Sequence, residues 1–285
     1  MCLQPDDIRW CAHRPRRYAP AVKVISINAW GGARHDALIP WISEVDADIV
    51  CVQEVTRTPR GSGWATFSDG ERTLPQRLNL FDDISSVLVG YRSHFVAHDA
   101  GPVTDRDGTR WRQDFGIATW VRDDLPIVGL DARFVHSEFV NHVDWNEEDR
   151  PRAALTVTVR DPSSNRTVSV VQLHGLRDPV GKHDTPARVD QARRLSAIVE
   201  QMHSTSDIVA LCGDLNLLPT SATFEVLGRQ GMVDLVGDAD TRTSLYRKPI
   251  RSASYFLVSR VDAVRHFEVV QQPEVSDHRA LLLEL

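Results

Sequence analysis

Polar residues rich in side-chain oxygen stand where apolar runs of this chain stop. Asn28 closes Val24 to Ile27, and Glu54 follows Ile49 to Gln53. Asp214 and Asn216 follow Val209 to Gly213, and Asp277 stands before the last apolar run. His174 closes Val170 to Leu173, and His278 is next to Asp277. A site built at one edge of a sheet collects its side chains in this way, from strand ends far apart in sequence. Hard oxygen ligands suit Mg²⁺ or Mn²⁺, whereas zinc would call for cysteines or several histidines. Carboxylates that touch a cation or its water, beside imidazoles that hydrogen-bond phosphoryl oxygens, are equipment for phosphate-ester hydrolysis. Taken singly, each residue is equally explained by strands ending where polarity begins.

Further side chains could serve the same chemistry. The stretch after His174, Gly175 to His183, contributes Arg177 and Lys182, cations that could hold a substrate phosphate or simply face solvent. Arg188 follows on the first turn of a helix. Trp30, Trp64, Trp111 and Trp145 fall in or beside loops, where they could stack on a base or pack beneath the loops. His142 and Trp145, near Glu147 and Glu148, could form a lid. The chain has no His-Glu-x-x-His and no Gly-x-Ser-x-Gly, which argues against zinc and serine hydrolases.

Positioning such a site requires a strand-rich framework. Val- and Ile-rich runs predict strands at Val22 to Asn28, Asp48 to Gln53, Ala153 to Val159, Val168 to His174, Ile208 to Cys212, Tyr255 to Ser259, Val264 to Val270 and Arg279 to Leu285. A helix is expected from Pro186 to Met202, where Val189, Ala192, Leu195, Val199 and Met202 share a face and Asp184 or Thr185 can cap the first turn. Shorter helices fit Asp36 to Val45, Gln76 to Leu88 and Ser221 to Arg229. The polar, Gly-containing stretches Val55 to Thr73 and Asp99 to Arg112 read as long surface loops.

No linker or repeat divides the 285 residues, so one domain over 22–285 is expected, preceded by an extension at 1–21. Hydrophobic content of 42% with 25% charged residues fits a soluble globular chain. A net charge of -6 argues against a protein that holds nucleic acid through a basic surface, without excluding a nuclease whose bound cation reverses the local potential. Cys51 and Cys212 lie in apolar runs, and no CxxC pair joins them to Cys2 or Cys11. With no signal-like N-terminus and no run long enough to span a membrane, a cytoplasmic protein is expected, with no obligate protein partner evident.

Five blocks stand in order along the chain: Ser26-Ile27-Asn28, Val52-Gln53-Glu54, Gln172-Leu173-His174, Gly213-Asp214-Leu215-Asn216 and Ser276-Asp277-His278. On these the chain resembles the endonuclease/exonuclease/phosphatase superfamily from Val22 to Leu285. The resemblance implies an α/β fold of the deoxyribonuclease I-like four-layer type, a two-sheet α/β sandwich with helices packed outside. It implies a Mg²⁺ (or Mn²⁺) cofactor held chiefly by Glu54, with Asn28 and Asp277 beside it. Asp214 would orient or deprotonate the attacking water, Asn216 would hold that water or the phosphate, and His174 and His278 would hydrogen-bond the phosphoryl oxygens.

One position departs from the family pattern. Ser254 stands where an Asp is expected to orient the final histidine, which should leave His278 less basic. Asp114 is the candidate acid facing His174, or an ordinary strand-start carboxylate. The expected reaction is hydrolysis of a phosphodiester in nucleic acid or a nucleotide. A phosphatase or phosphodiesterase of a small metabolite or lipid headgroup is the alternative, and a catalytically weakened binding protein of the same fold is the third reading.

Overall fold

Runs that are apolar at nearly every position need cover on both faces, and four of them find it. Lys23–Asn28, Ile49–Arg57, Thr167–His174 and Ile208–Asp214 are strands buried along almost their whole length. The computed structural model describes residues 22–70, 72–145, 150–178 and 181–285. The expected extension at 1–21, with Cys2 and Cys11, and Glu147 and Glu148 of the suggested lid lie outside these residues.

Two sheets carry the strands of the described residues. In the first, a nine-stranded sheet, neighbours run in the order His266–Val269, Leu281–Glu284, Lys23–Asn28, Ile49–Arg57, Arg110–Arg122, Tyr91–Asp105, Trp64–Ser68 and Thr73–Arg77, and Val140–Asn141 pairs with Tyr91–Asp105. In the second, of six strands, the order is Val233–Asp234, Ser254–Val258, Ile208–Asp214, Thr167–His174, Arg152–Arg160 and Ile127–His136. Side chains alternate across the first sheet. Val24, Cys51 and Val121 turn toward the second sheet and pack with Val157, Val170 and Cys212. Ile25, Val50 and Trp120 turn outward and meet Leu38, Ile42, Leu80 and Ile84 of the helices His35–Glu44 and Leu80–Val87. Leu195 and Val199 of the long helix Pro186–His203 cover the second sheet. The result is the helix–sheet–sheet–helix sandwich that the resemblance implies. No helix of the described residues is long and apolar enough to cross a membrane.

Several expected elements shift. The helix expected from Gln76 starts at Leu80, because Asn79 caps it by accepting from the Asp82 N–H, and Gln76 belongs to the strand Thr73–Arg77. The two stretches read as loops are largely strands. Val55 to Arg57 continue the strand that carries Glu54, and Asp99 to Arg112 form the end of a long hairpin. Their polarity reflects half-exposed antiparallel strands rather than irregular backbone. Glycine serves close packing here: a Cβ on Gly116 would stand 1.9 Å from the Val96 carbonyl oxygen.

Gly213 is the glycine on which the site depends. It has φ 140°, and a Cβ there would stand 1.9 Å from the Leu173 carbonyl oxygen of the paired strand. Leu173 and Gly213 are register partners immediately before His174 and Asp214. Gly213→Ala should therefore cost about 3 kcal/mol or more, as overpacking and backbone strain combine. A urea titration would show the lowered midpoint; an unchanged midpoint would mean the strands can separate freely at this point.

Candidate active site

Register places three site residues side by side. His174 pairs with Asp214, and Asp214 pairs with Ser254, on three neighbouring strands of the second sheet. Asn28 and Gln53 are partners at the corresponding end of the first sheet. The next residue, Glu54, falls on a bulge between Gln53 and Val55 and has φ 55°. A bulge leaves one residue out of the ladder and turns its side chain, here into the cleft. Asn216 is also left-handed at φ 55°, and its N–H donates to Asp214 Oδ1 at 3.0 Å. Non-glycine residues in this region carry strain that persists only where the surroundings hold it.

Asn28 joins the two sheets. Its Nδ2 donates to Glu54 Oε1 at 3.1 Å and to Asp214 Oδ2 at 3.0 Å, while its Oδ1 accepts from the Trp30 N–H at 2.9 Å. In this arrangement Asn28 fixes two carboxylates relative to each other and presents its amide nitrogen, not its oxygen, to them. Ser276 Oγ donates to the Asn28 carbonyl at 2.6 Å and so ties the Asp277-His278 segment to the same strand end. His278 Nε2 lies 3.3 Å from Asp214 Oδ2, and His174 Nε2 lies 3.8 Å from both Asp214 Oδ2 and Glu54 Oε1. Asn28, Glu54, His174, Asp214, Asn216, Ser254, Asp277 and His278 thus come together from both sheets.

Electrostatics divide the carboxylates. Burial raises the Asp214 carboxyl pKa, but His278, His174, Arg242 and Lys182 around it outweigh burial and hold it below the usual carboxylate range. Asp277 goes the other way: burial, joined by repulsion from Glu54 and Asp214, pushes it up to about 7 despite Arg242. Carboxylates crowded closely enough to resist ionisation call for a cation. Glu54 is the accessible one, with 26% of its side chain exposed against 2% for Asp214. Among the described residues no ready cage of three or more His, Cys, Asp or Glu is present. Mg²⁺ takes one or two carboxylates and completes its shell with water and substrate phosphate, so Glu54 and Asp277 fit it by chemistry.

Burial opposes charge on both histidines. Burial, with Arg152 next in importance, lowers His174 to about 3, and burial with Arg242 holds His278 well below its ordinary value. In its neutral form His278, facing the Asp214 carboxylate through Nε2, places its proton there and accepts through Nδ1. Ser254 Oγ, 2.8 Å from that Nδ1, must then be the donor. The serine does not merely lack the charge of an aspartate; it supplies a proton donor that an ionised aspartate cannot.

The remaining expected residues scatter. Asp114 is half-buried opposite Arg57 and Ala100 and has no hydrogen bond to His174, whose Nδ1 has no partner among the described residues. His98 is fully buried with its ring 6.5 Å from that of His174. Lys182 is buried and donates to the Ser252 carbonyl, whereas Arg177 is exposed. Arg188 donates to the carbonyls of Leu176, Gly181 and His183 and so supports the loop. Trp145 is buried against Gly101 and donates to the Pro102 carbonyl, and His142 bonds Asp99, which Arg150 also grips with two nitrogens at 2.7 and 2.9 Å. Both therefore pack against the strand Tyr91–Asp105. Sequence reasoning passes over Arg152 and Arg242. Arg152 begins an antiparallel strand at the edge where the parallel strands end, so the strand-end signal could have found it. Arg242 lies outside any strand and carries no such signal.

The family model for the Endonuclease/Exonuclease/phosphatase family matches residues 25–278. No curated protein matches the chain by sequence. Among solved structures it is similar to an endonuclease/exonuclease/phosphatase from Bacteroides vulgatus, with 16% identity, TM-score 0.63, and 93% of this chain and 98% of that chain covered. It is also similar to a mannosyl-6-phosphatase from Bacteroides thetaiotaomicron (17% identity, TM-score 0.60, 93% and 99% covered). A third is D. rerio TDP2 complexed with single strand DNA product (14% identity, TM-score 0.59, 93% and 98% covered).

Removing the Ser254 hydroxyl tests the hydrogen bond to His278. Ser254→Ala should lower kcat about tenfold with little change in KM, the usual scale for a residue that orients a working side chain. Steady-state kinetics on a chromogenic phosphate ester would measure it, and a change confined to KM would place Ser254 in substrate binding instead.

Proposed function

Because the chain belongs to the endonuclease/exonuclease/phosphatase family, we propose that it is a divalent-metal-dependent phosphoesterase that hydrolyses a phosphate ester by in-line attack of water. The observation that carries this reading is the convergence of Glu54, Asp214 and Asp277 with His174 and His278 at one end of both sheets, with Asp277 pushed up to about 7 by its neighbours. Glu54 and Asp277 would hold the cation, which neutralises charge that develops on the phosphoryl group.

The chain's own residues divide the rest of the work. Asp214, ionised and accepting, orients the attacking water; its low basicity suits alignment better than holding a proton for long. Asn216, fixed by its bond to Asp214, holds the water or a phosphoryl oxygen from the other side. His174 donates through Nε2 to a phosphoryl oxygen, and His278 shares its Nε2–H between Asp214 and a phosphoryl oxygen; in their neutral forms they need no counter-charge in the resting site. The 3.8 Å gaps between His174 Nε2 and the two carboxylates leave it unsaturated and able to turn to substrate.

A phosphodiester of nucleic acid or a nucleotide and an ester of a small metabolite or lipid headgroup both fit this reaction. Similar folds include a mannosyl-6-phosphatase and a protein bound to single-strand DNA product, so fold does not choose between them. Hydrolysis of p-nitrophenyl phosphate and bis(p-nitrophenyl) phosphate with Mg²⁺, Mn²⁺ or EDTA tests the proposal. Turnover should disappear in EDTA, and Glu54→Ala should lose roughly a thousandfold, the rate equivalent of several kcal/mol of lost charge stabilisation. Undiminished turnover in EDTA would refute the metal-dependent reading.

A further inference from the structure

Beside Asp277, on the side of the cleft formed by residues 241–254, two buried cations stand where the expected ligand set needs none. Arg242 Nη1 donates to Asp277 Oδ2 at 2.7 Å, and its guanidinium lies 4.0 Å from the centre of the Tyr246 ring. Its backbone pairs with that of His278. The segment is firmly built. Asp240 accepts from the Arg242 N–H and from Arg251 Nε, and Arg251 in turn donates to the carbonyls of Arg242 and Thr243. Lys182 reaches the same segment from the far loop by donating to the Ser252 carbonyl, and its charge interacts with Asp214, Arg242 and Asp277. Arg242 is 5% and Lys182 8% exposed, so neither is a solvated surface charge.

A count of charges gives these residues a purpose. Among the described residues three carboxylates face the cleft: Glu54, Asp214 and Asp277. Three cations act on them: Arg152, whose charge interacts with Glu54 and Asp214, together with Lys182 and Arg242. Arg150 and Asp99 neutralise each other and drop out. With Asp277 ionised, as it would be beside a cation, these side chains balance, and one divalent cation leaves a surplus of two positive charges. A phosphodiester brings one negative charge and two free oxygens, whereas a terminal phosphate brings up to two charges and three free oxygens. Once Asp277 turns to a cation, the Arg242 fork is released and matches two oxygens of such a group, with Lys182 as a point charge beside it.

We propose that Arg242 and Lys182 form a cradle for a terminal phosphate, and that the substrate is a phosphate monoester rather than an internal phosphodiester. The proposal rests on the phosphoesterase reading for the cation and the reacting centre. Tyr246 braces the guanidinium from one face, and the carbonyl of Ser252 holds the Lys182 ammonium. Selectivity follows because a second ester group would replace an anionic oxygen that the cradle is charged to receive.

Binding of inorganic phosphate and of dimethyl phosphate to the Mg²⁺-loaded protein, above the second ionisation of phosphate, measures the cradle without turnover. Wild type should bind phosphate at least about tenfold more tightly, the equivalent of one charge-assisted hydrogen bond. Lys182→Met and Arg242→Gln should each weaken phosphate more than dimethyl phosphate and so remove most of that preference. If Arg242→Gln does not fold, Lys182→Met and the wild-type comparison still decide. Equal binding of the two ligands by wild type, or an unchanged preference in Lys182→Met, would overturn the proposal. A phosphate preference in a protein that hydrolyses neither p-nitrophenyl ester would support the cradle and refute the hydrolase reading instead.

Discussion

One side-chain amide joins the two sheets at the point where chemistry is expected. Asn28 ends a strand of the first sheet, and its Nδ2 reaches both Glu54 of the neighbouring strand and Asp214 of the opposite sheet, 186 residues away in sequence. Behind it, Gln53 donates to Gln172 across the sandwich, and Gln172 donates to Thr119. Buried polar groups of this kind are costly unless satisfied, so the chain of amides admits one register of the two sheets. That register brings the Glu54 bulge opposite the His174-Asp214 pair. Strain at Trp30, Glu54 and Asn216, each at φ between 52° and 55°, is held by the same network.

Charge organises the rest. The carboxylates are packed closely enough to disfavour one another, and the cations near them are buried rather than screened by water. Burial and then the neighbouring cations oppose charge on both histidines, and Ser254 in place of the expected aspartate is consistent with that environment. A second carboxylate beside Asp214 would add repulsion, whereas a hydroxyl donor fixes the His278 tautomer without charge. The uncharged Ser254 and the buried cations Arg242 and Lys182 thus act in the same direction.

The framework of the site is legible in the sequence because strand ends announce themselves. Asn28, Glu54, His174, Asp214 and Asp277 each interrupt or adjoin an apolar run, and these runs are strands of the two central layers. The long hairpin is not legible as such: its half-exposed strands mix polar residues with Gly101 and Pro102, which read as punctuation. Arg242 lies outside any strand, in a segment positioned by long-range backbone contacts such as the Arg279 N–H to the Thr241 carbonyl, which no local pattern encodes. His98 is hidden for a different reason. It sits at a register shift between Ala97 and Asp99, where period-two alternation fails to assign a face.

The most direct test of the electrostatic design is calorimetric titration of the protein with Mn²⁺, comparing wild type with Glu54→Gln. Crowded carboxylates completed by a cation should bind the ion in the wild type and lose most of that affinity in the variant, which keeps the shape of the side chain and removes its charge. Absence of binding to wild type, or equal binding by Glu54→Gln, would contradict the claim that a divalent cation completes this site.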